Sequence, residues 1–153
     1  MNARLETVDG RPALRLERRL SQAVERVWRA VTEPAELARW FPLIEPPRWT
    51  PAVGEVIEAA GQTGEVTEVD SPHRIAWTWE GDRFGFELQP DGEGCLLTFT
   101  HVFSDRSLGA QHAAGWEIYF NRLDAHLAGG FLDEQEAHKA FPELRERYAQ
   151  QFG

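Results

Sequence analysis

Large apolar side chains recur at every second position through the middle of the chain. Ile75, Trp77 and Trp79 share one face of Arg74–Glu80, and Phe84, Phe86 and Leu88 share one face of Arg83–Gln89. Leu97, Phe99, His101 and Phe103 share one face of Cys95–Phe103, while Thr98 and Thr100 take the other. A period of two with one apolar face predicts strands of an antiparallel sheet that is covered on one side and wet on the other. Gly54–Ala60 and Thr63–Asp70 read as two further strands. Ala60-Gly61, Asp70-Ser71-Pro72, Gly81-Asp82 and Pro90-Asp91-Gly92 supply turns between consecutive strands, which makes a five-strand meander. The same alternation appears earlier, where Leu14, Leu16, Arg18 and Leu20 predict a strand over Pro12–Leu20.

Elsewhere the period changes to that of a helix. Val24, Val27, Trp28 and Val31 follow Ser21, a residue suited to an N-cap. A second short helix is predicted over Pro34–Trp40, with Pro34 in its first turn and Phe41-Pro42 at its end. Ile44–Pro51 contains three prolines and reads as a loop. The longest helix is predicted over Ala110–Ala128: Ala113, Trp116, Phe120, Leu123 and Leu127 form one stripe, and Gly129-Gly130 stops it. A polar helix is expected from about Asp133 to Gln150, restarted or kinked at Pro142. The predicted fold class is therefore α+β, a curved antiparallel sheet closed by one long C-terminal helix, since no other element is long enough to cover the apolar wall.

Length and charge narrow this picture only modestly. The chain has 153 residues, the size of one domain, and its 42% hydrophobic content suits a packed core. A single domain over residues 1–153 is expected, with its core at residues 12–130 and a helical extension at 131–153. The formal net charge of −9 argues against nucleic-acid partners and anionic membrane surfaces. No stretch approaches a membrane span, and Met1–Gly10 has no signal-peptide core, so a cytoplasmic location is expected.

Catalytic signatures are sparse. No phosphate-cradling glycine loop and no nucleophile elbow is present. His73, His101, His112, His126 and His138 lack metal-ligand spacing, and Cys95 is the only cysteine, so neither a metal nor another cofactor is expected. His101 is the one polar side chain on its apolar stripe. It reads as a satisfied core or rim histidine, or as a ligand-orienting donor or proton-transfer group. His112, Glu117, Tyr119 and Asn121 on the long helix are expected mostly to face solvent. The aromatic faces either fill a core or line a void. In the second reading Trp77, Trp79, Phe84, Phe86, Phe99, His101, Phe103, Trp116, Phe120 and Leu123 line a ligand cavity, with Trp28, Trp40 and Phe41 at its mouth.

Four stretches carry a family resemblance: LERRLSQAVERVWRAVTEPAELARWF (16–41), GEVTEVDSPHRIAWTWEG (64–81), GCLLTFTHVF (94–103) and HAAGWEIYFNRLDAHLAGG (112–130). Together they resemble the heat-shock-protein ATPase activator homologue (AHSA-type) branch of the START-like, or SRPBCC, superfamily over roughly residues 12–130. The resemblance implies the helix-grip fold with a cavity between the long helix and the sheet. It implies a small apolar or amphipathic ligand, lipid- or polyketide-like. It also leaves open a cyclase or aromatase activity, and a stress-response role with a chaperone or homodimer partner. No counterpart of the extra N-terminal domain of the eukaryotic co-chaperone is expected from the resemblance, which puts stimulation of a heat-shock ATPase outside what it implies, and the resemblance carries over no catalytic residue.

Overall fold

The computed structural model describes residues 3–41, 53–54, 56–59 and 62–153. The expected loop at Ile44–Pro51 and the turn at Ala60-Gly61 lie outside the described residues. Seven strands form one antiparallel sheet in the order β1-β2-β7-β6-β5-β4-β3, with β1 at Arg4–Val8, β2 at Arg11–Leu20, β3 at Val56–Ala59, β4 at Gln62–Asp70, β5 at Arg74–Trp79, β6 at Asp82–Asp91 and β7 at Gly94–Val102. Two short helices, α1 (Val24–Thr32) and α2 (Pro34–Trp40), follow β2. The long helix α3 spans Gly109–Leu127, and α4 (Glu134–His138) and α5 (Phe141–Phe152) complete the chain.

The sheet has one strand more than the alternation predicts. β1 pairs with β2 through the two-residue turn Asp9-Gly10, both at positive φ (51° and 77°). An Asp-Gly pair between extended segments favours this tight hairpin, because both central residues must be left-handed. Arg4, Glu6 and Thr7 mask the alternation that would have revealed the strand.

A second correction matters more for function. The β5–β6 turn is Glu80-Gly81, with φ of 49° and 83°, rather than Gly81-Asp82. Asp82 thereby becomes the first residue of β6 and pairs with Trp79 on the inward face. Two residues before Phe84, Asp82 shares its face and so joins the inward wall once it belongs to the strand.

Helix boundaries follow the predicted ones closely, with one local exception. Ser21 does not cap α1; its N-cap is Ala23, which has no side chain to do so. The expected C-terminal helix is divided, Asp133 capping α4 and Pro142 sitting in the first turn of α5.

Register lays the inward side chains out in rows. One row runs Leu16, Phe99, Phe86, Ile75 across β2, β7, β6 and β5, and the next runs Leu14, His101, Phe84, Trp77. α3 lies over this wall through Trp116, Phe120 and Leu123, and the core is continuous with α1 and α2. The opposite side of α3 is also covered. Leu144 and Tyr148 of α5 pack there, which buries Ala114, Glu117 and Ile118 outside the predicted stripe. The Tyr148 hydroxyl accepts from the buried Ala3 N–H (3.0 Å) and donates to Glu117 (2.6 Å). Residues 131–153 thus pack on the long helix and tie down the N-terminal strand.

Candidate functional site

The inward wall brings the expected aromatic residues together. Trp40, Phe86, Phe99, Phe103, Phe120 and Leu123 are fully buried, and Phe41, Trp77 and His101 nearly so. In the centre the rings touch across the helix–sheet interface: Phe99 lies 4.5 Å from Trp116 and 5.3 Å from Phe120, centroid to centroid. Trp40 reaches the same group from α2, 6.2 Å from Phe86 and 6.0 Å from Phe120. These spacings are those of packed aromatic pairs. Trp28 lies in the same core on α1, and Trp79 is partly buried against it; neither joins a ring pair among the described residues.

Toward the β5–β6 turn the wall opens. Phe41, Trp77, Phe84 and Trp116 form a closed circuit of rings with centroid separations of 6.3, 5.5, 6.0 and 5.8 Å. Phe84 and Trp116 are only partly buried, as is neighbouring Trp79. Large aromatic surface left beside solvent is unfavourable by roughly 25 cal/mol per Å² of apolar area.

A polar chain borders this patch. The Trp116 indole Nε1–H donates to His101 Nδ1 at 3.1 Å. His101 Nδ1 must then be an acceptor, so the ring proton resides on Nε2, which donates to Asp82 Oδ2 at 2.8 Å. Arg11 stands 3.7 Å from the other Asp82 oxygen and donates to the Gly81 carbonyl and the Ser104 hydroxyl. The His101 ring stacks on Phe84 at 4.3 Å. Burial pushes the His101 pKa down to about 4; the Asp82 bond opposes this, and the neighbouring His112 and Arg11 add to it. At neutral pH the ring is uncharged, with both nitrogens occupied by protein groups.

Asp82 is the site residue that the sequence reading passes over by treating it as part of a turn. Its signal was available, because stepping back from Leu88, Phe86 and Phe84 by two lands on Asp82. Arg122 gave no such signal. It is 5% exposed on α3, where Nε donates to the Leu132 carbonyl (2.9 Å), Nη1 to Trp40 (3.3 Å) and Nη2 to Arg39 (3.2 Å). A cation at the carbonyl end of α2 suits the helix dipole and satisfies acceptors that have no intrahelical donor. Glu117, expected in solvent, is 7% exposed and held by Tyr148 and Arg147.

The outer face of the sheet carries a groove of about 270 Å³ where the small residues Ala76 and Gly85 sit opposite each other. Its arginines are matched, Arg74 with Glu68 and Glu87, and Arg83 with Asp9. Among the described residues no group of His, Cys, Asp and Glu could hold a metal ion, and no helix is long and apolar enough to cross a membrane.

A curved antiparallel sheet gripped by a long C-terminal helix, with two short helices after the first long strand, defines a helix-grip protein. The chain belongs to the family described as Activator of Hsp90 ATPase homolog 1-like protein, whose model matches residues 22–128. Solved structures are similar in fold. CalU16 from Micromonospora echinospora superposes with a TM-score of 0.71 at 22% identity, over 94% of this chain and 95% of that one. A conserved protein of unknown function from Enterococcus faecalis, EF2215, gives 0.75 at 21% identity over 97% and 89%. DynU16, a protein of the dynemicin biosynthetic locus, gives 0.66 at 26% identity over 78% of this chain and 48% of that one. Among curated proteins, none matches the chain.

Proposed function

We propose that this protein binds a small apolar or amphipathic molecule between the long helix and the sheet, at the open end of the aromatic wall. The observation that supports this most directly is the closed circuit of Phe41, Trp77, Phe84 and Trp116, two of whose rings are partly exposed. Interior packing accounts for the centre of the wall, where the fully buried Phe86, Phe99 and Phe120 meet at 5.2–6.4 Å. It does not account for partly exposed rings gathered beside a hydrogen-bonded His–Asp pair. Apolar walls with a few convergent polar groups are the usual construction of a small-molecule site. The place of DynU16 in the dynemicin biosynthetic locus favours a natural product over a membrane lipid as the occupant.

Uptake of the apolar fluorophore N-phenyl-1-naphthylamine tests the reading. Saturable binding is expected, with Trp116→Ala weakening it at least ten-fold. Absence of saturable uptake by the wild-type chain would overturn it.

A further inference from the structure

Packing fixes where the Trp116 ring lies but not which way its indole edge points. Its ring neighbours include Phe41, Phe84, Phe99, Tyr119 and Phe120, at centroid separations of 4.5–6.4 Å. Apolar contact follows buried area and carries little direction. The terminal torsion of tryptophan is broad and roughly two-fold, so such contact distinguishes the two faces of the indole poorly. One contact is directional: Nε1–H donates to His101 Nδ1 at 3.1 Å. The His101 ring is itself held on two sides, stacked on Phe84 at 4.3 Å and donating to Asp82 Oδ2 at 2.8 Å. A carboxylate only accepts, so Asp82 keeps the proton on Nε2 and leaves Nδ1 as the acceptor.

We propose that His101 is a positioning residue of the ligand site: its bond to the indole holds Trp116 in the orientation that completes the aromatic circuit, and Asp82 holds His101 in the tautomer this requires. This rests on the ligand-binding reading above and adds how a wall of that site is kept in place. Neither ring nitrogen is left for an occupant or for proton transfer, so His101 acts through Trp116 and not on the ligand. Such a bond contributes preorganisation. An occupant meets a wall already in its binding orientation and does not have to select it from several. The support reaches back to the surface. Arg11 on β2 donates to the Gly81 carbonyl and the Ser104 hydroxyl and stands 3.7 Å from Asp82, which fastens the strand end that carries the carboxylate.

Two substitutions separate the hydrogen bond of His101 from its packing. His101→Phe keeps a flat ring against Phe84 and removes the acceptor. His101→Gln gives up the ring and keeps an acceptor for Trp116 and a donor for Asp82. Uptake of N-phenyl-1-naphthylamine is titrated for each, solvent exchange of the Trp116 indole proton is followed by NMR, and stability is measured in urea. The His101 nitrogens of the wild type should report an unprotonated Nδ1 and a protonated Nε2; the opposite tautomer overturns the assignment. In His101→Phe the indole proton should exchange several-fold faster, and affinity should fall about three-fold as the indole divides among its rotamers. His101→Gln should restore both in part, with affinity following the indole proton and not the unfolding midpoint. Affinity that tracks stability across the three proteins overturns the positioning role. Absence of uptake by the wild type sinks the ligand-binding reading and this role with it. Uptake that His101→Phe leaves unchanged sinks the role alone.

Discussion

Trp116 donates its indole proton to His101 Nδ1 across 3.1 Å, which fixes the tautomer of a histidine that is only 3% exposed. Protonating His101 would place the ring's second proton on Nδ1, the nitrogen that now accepts, so the cation cannot keep this bond. Burial is the main reason that the native ring resists protonation down to about pH 4, against an ordinary value of 6.5.

Acid should therefore destabilise the fold before any carboxylate titrates in its usual range. Below pH 6.5 the unfolded chain binds a proton at this position and the native state does not, until pH approaches 4. The stabilisation is thus fully present above pH 6.5 and is lost as pH falls, by up to about 3 kcal/mol. His101→Gln retains a donor for Asp82 and an acceptor for Trp116 but cannot titrate. Urea unfolding at pH 4.5, 5.5 and 7.5 should show a flatter profile for the variant than for the wild type. Parallel profiles would remove His101 as the cause.

Arg122 should behave as a structural cation with a directional role. Its three donors bind the C-terminal end of α2 and the segment after α3, so Arg122→Met leaves the carbonyls of Arg39, Trp40 and Leu132 without their partner. The expected loss is about 3 kcal/mol, because hydrogen bonds from a buried charged group are stronger than neutral ones. Arg122→Lys should not restore it, since an ammonium cannot span three acceptors in a fork. Thermal unfolding of the two variants checks this. Full stability of the lysine variant would show that charge alone suffices.

The sheet, the long helix and the inward place of His101 were legible in the sequence; its partner Asp82 and the buried Arg122 and Glu117 were not. Ile75, Trp77, Phe84, Phe86, Phe99 and His101 fall on the face that alternation assigns them, because a one-sided sheet forces period two. Trp116, Phe120 and Leu123 likewise follow from helical spacing. Asp82 was hidden by a turn whose position depends on which two residues take positive φ. Arg122 and Glu117 were hidden for a different reason. Each reads as solvent-facing on a helix with one apolar stripe, and only the packing of α4, α5 and α2 around α3 reveals that its second side is covered. Partners supplied by distant segments leave no local signature.

Tyr148 tests whether the C-terminal helix is integral to the fold. Tyr148→Phe removes the hydroxyl that joins the Ala3 N–H to Glu117, and leaves that buried N–H without an acceptor. A loss of about 2 kcal/mol is expected. For a chain of this size that corresponds to a fall of roughly 4–8 °C in Tm. Faster amide exchange should be confined largely to β1, since the rest of the sheet keeps its ladder. Uniformly faster exchange would mean that the hydroxyl supports the core as a whole rather than the N-terminal strand.

Gly64 and Gly85 make a matched pair for the last prediction. Both lie within strands and neither has positive φ, so conformational freedom explains neither. A Cβ at Gly64 would overlap the Thr78 carbonyl oxygen, which is backbone of the neighbouring strand and cannot rotate away. At Gly85 the nearest atom is 3.4 Å distant and the next is the Ala76 Cβ at 3.7 Å, an ordinary contact. Gly64→Ala must therefore push β4 and β5 apart next to the Val66/Glu68 bulge, at a cost of about 2 kcal/mol. Gly85→Ala should be neutral or slightly stabilising, because alanine restricts the unfolded chain more than glycine does. Paired urea titrations decide the matter: equal stability for the two variants would show that β4 yields freely at Gly64.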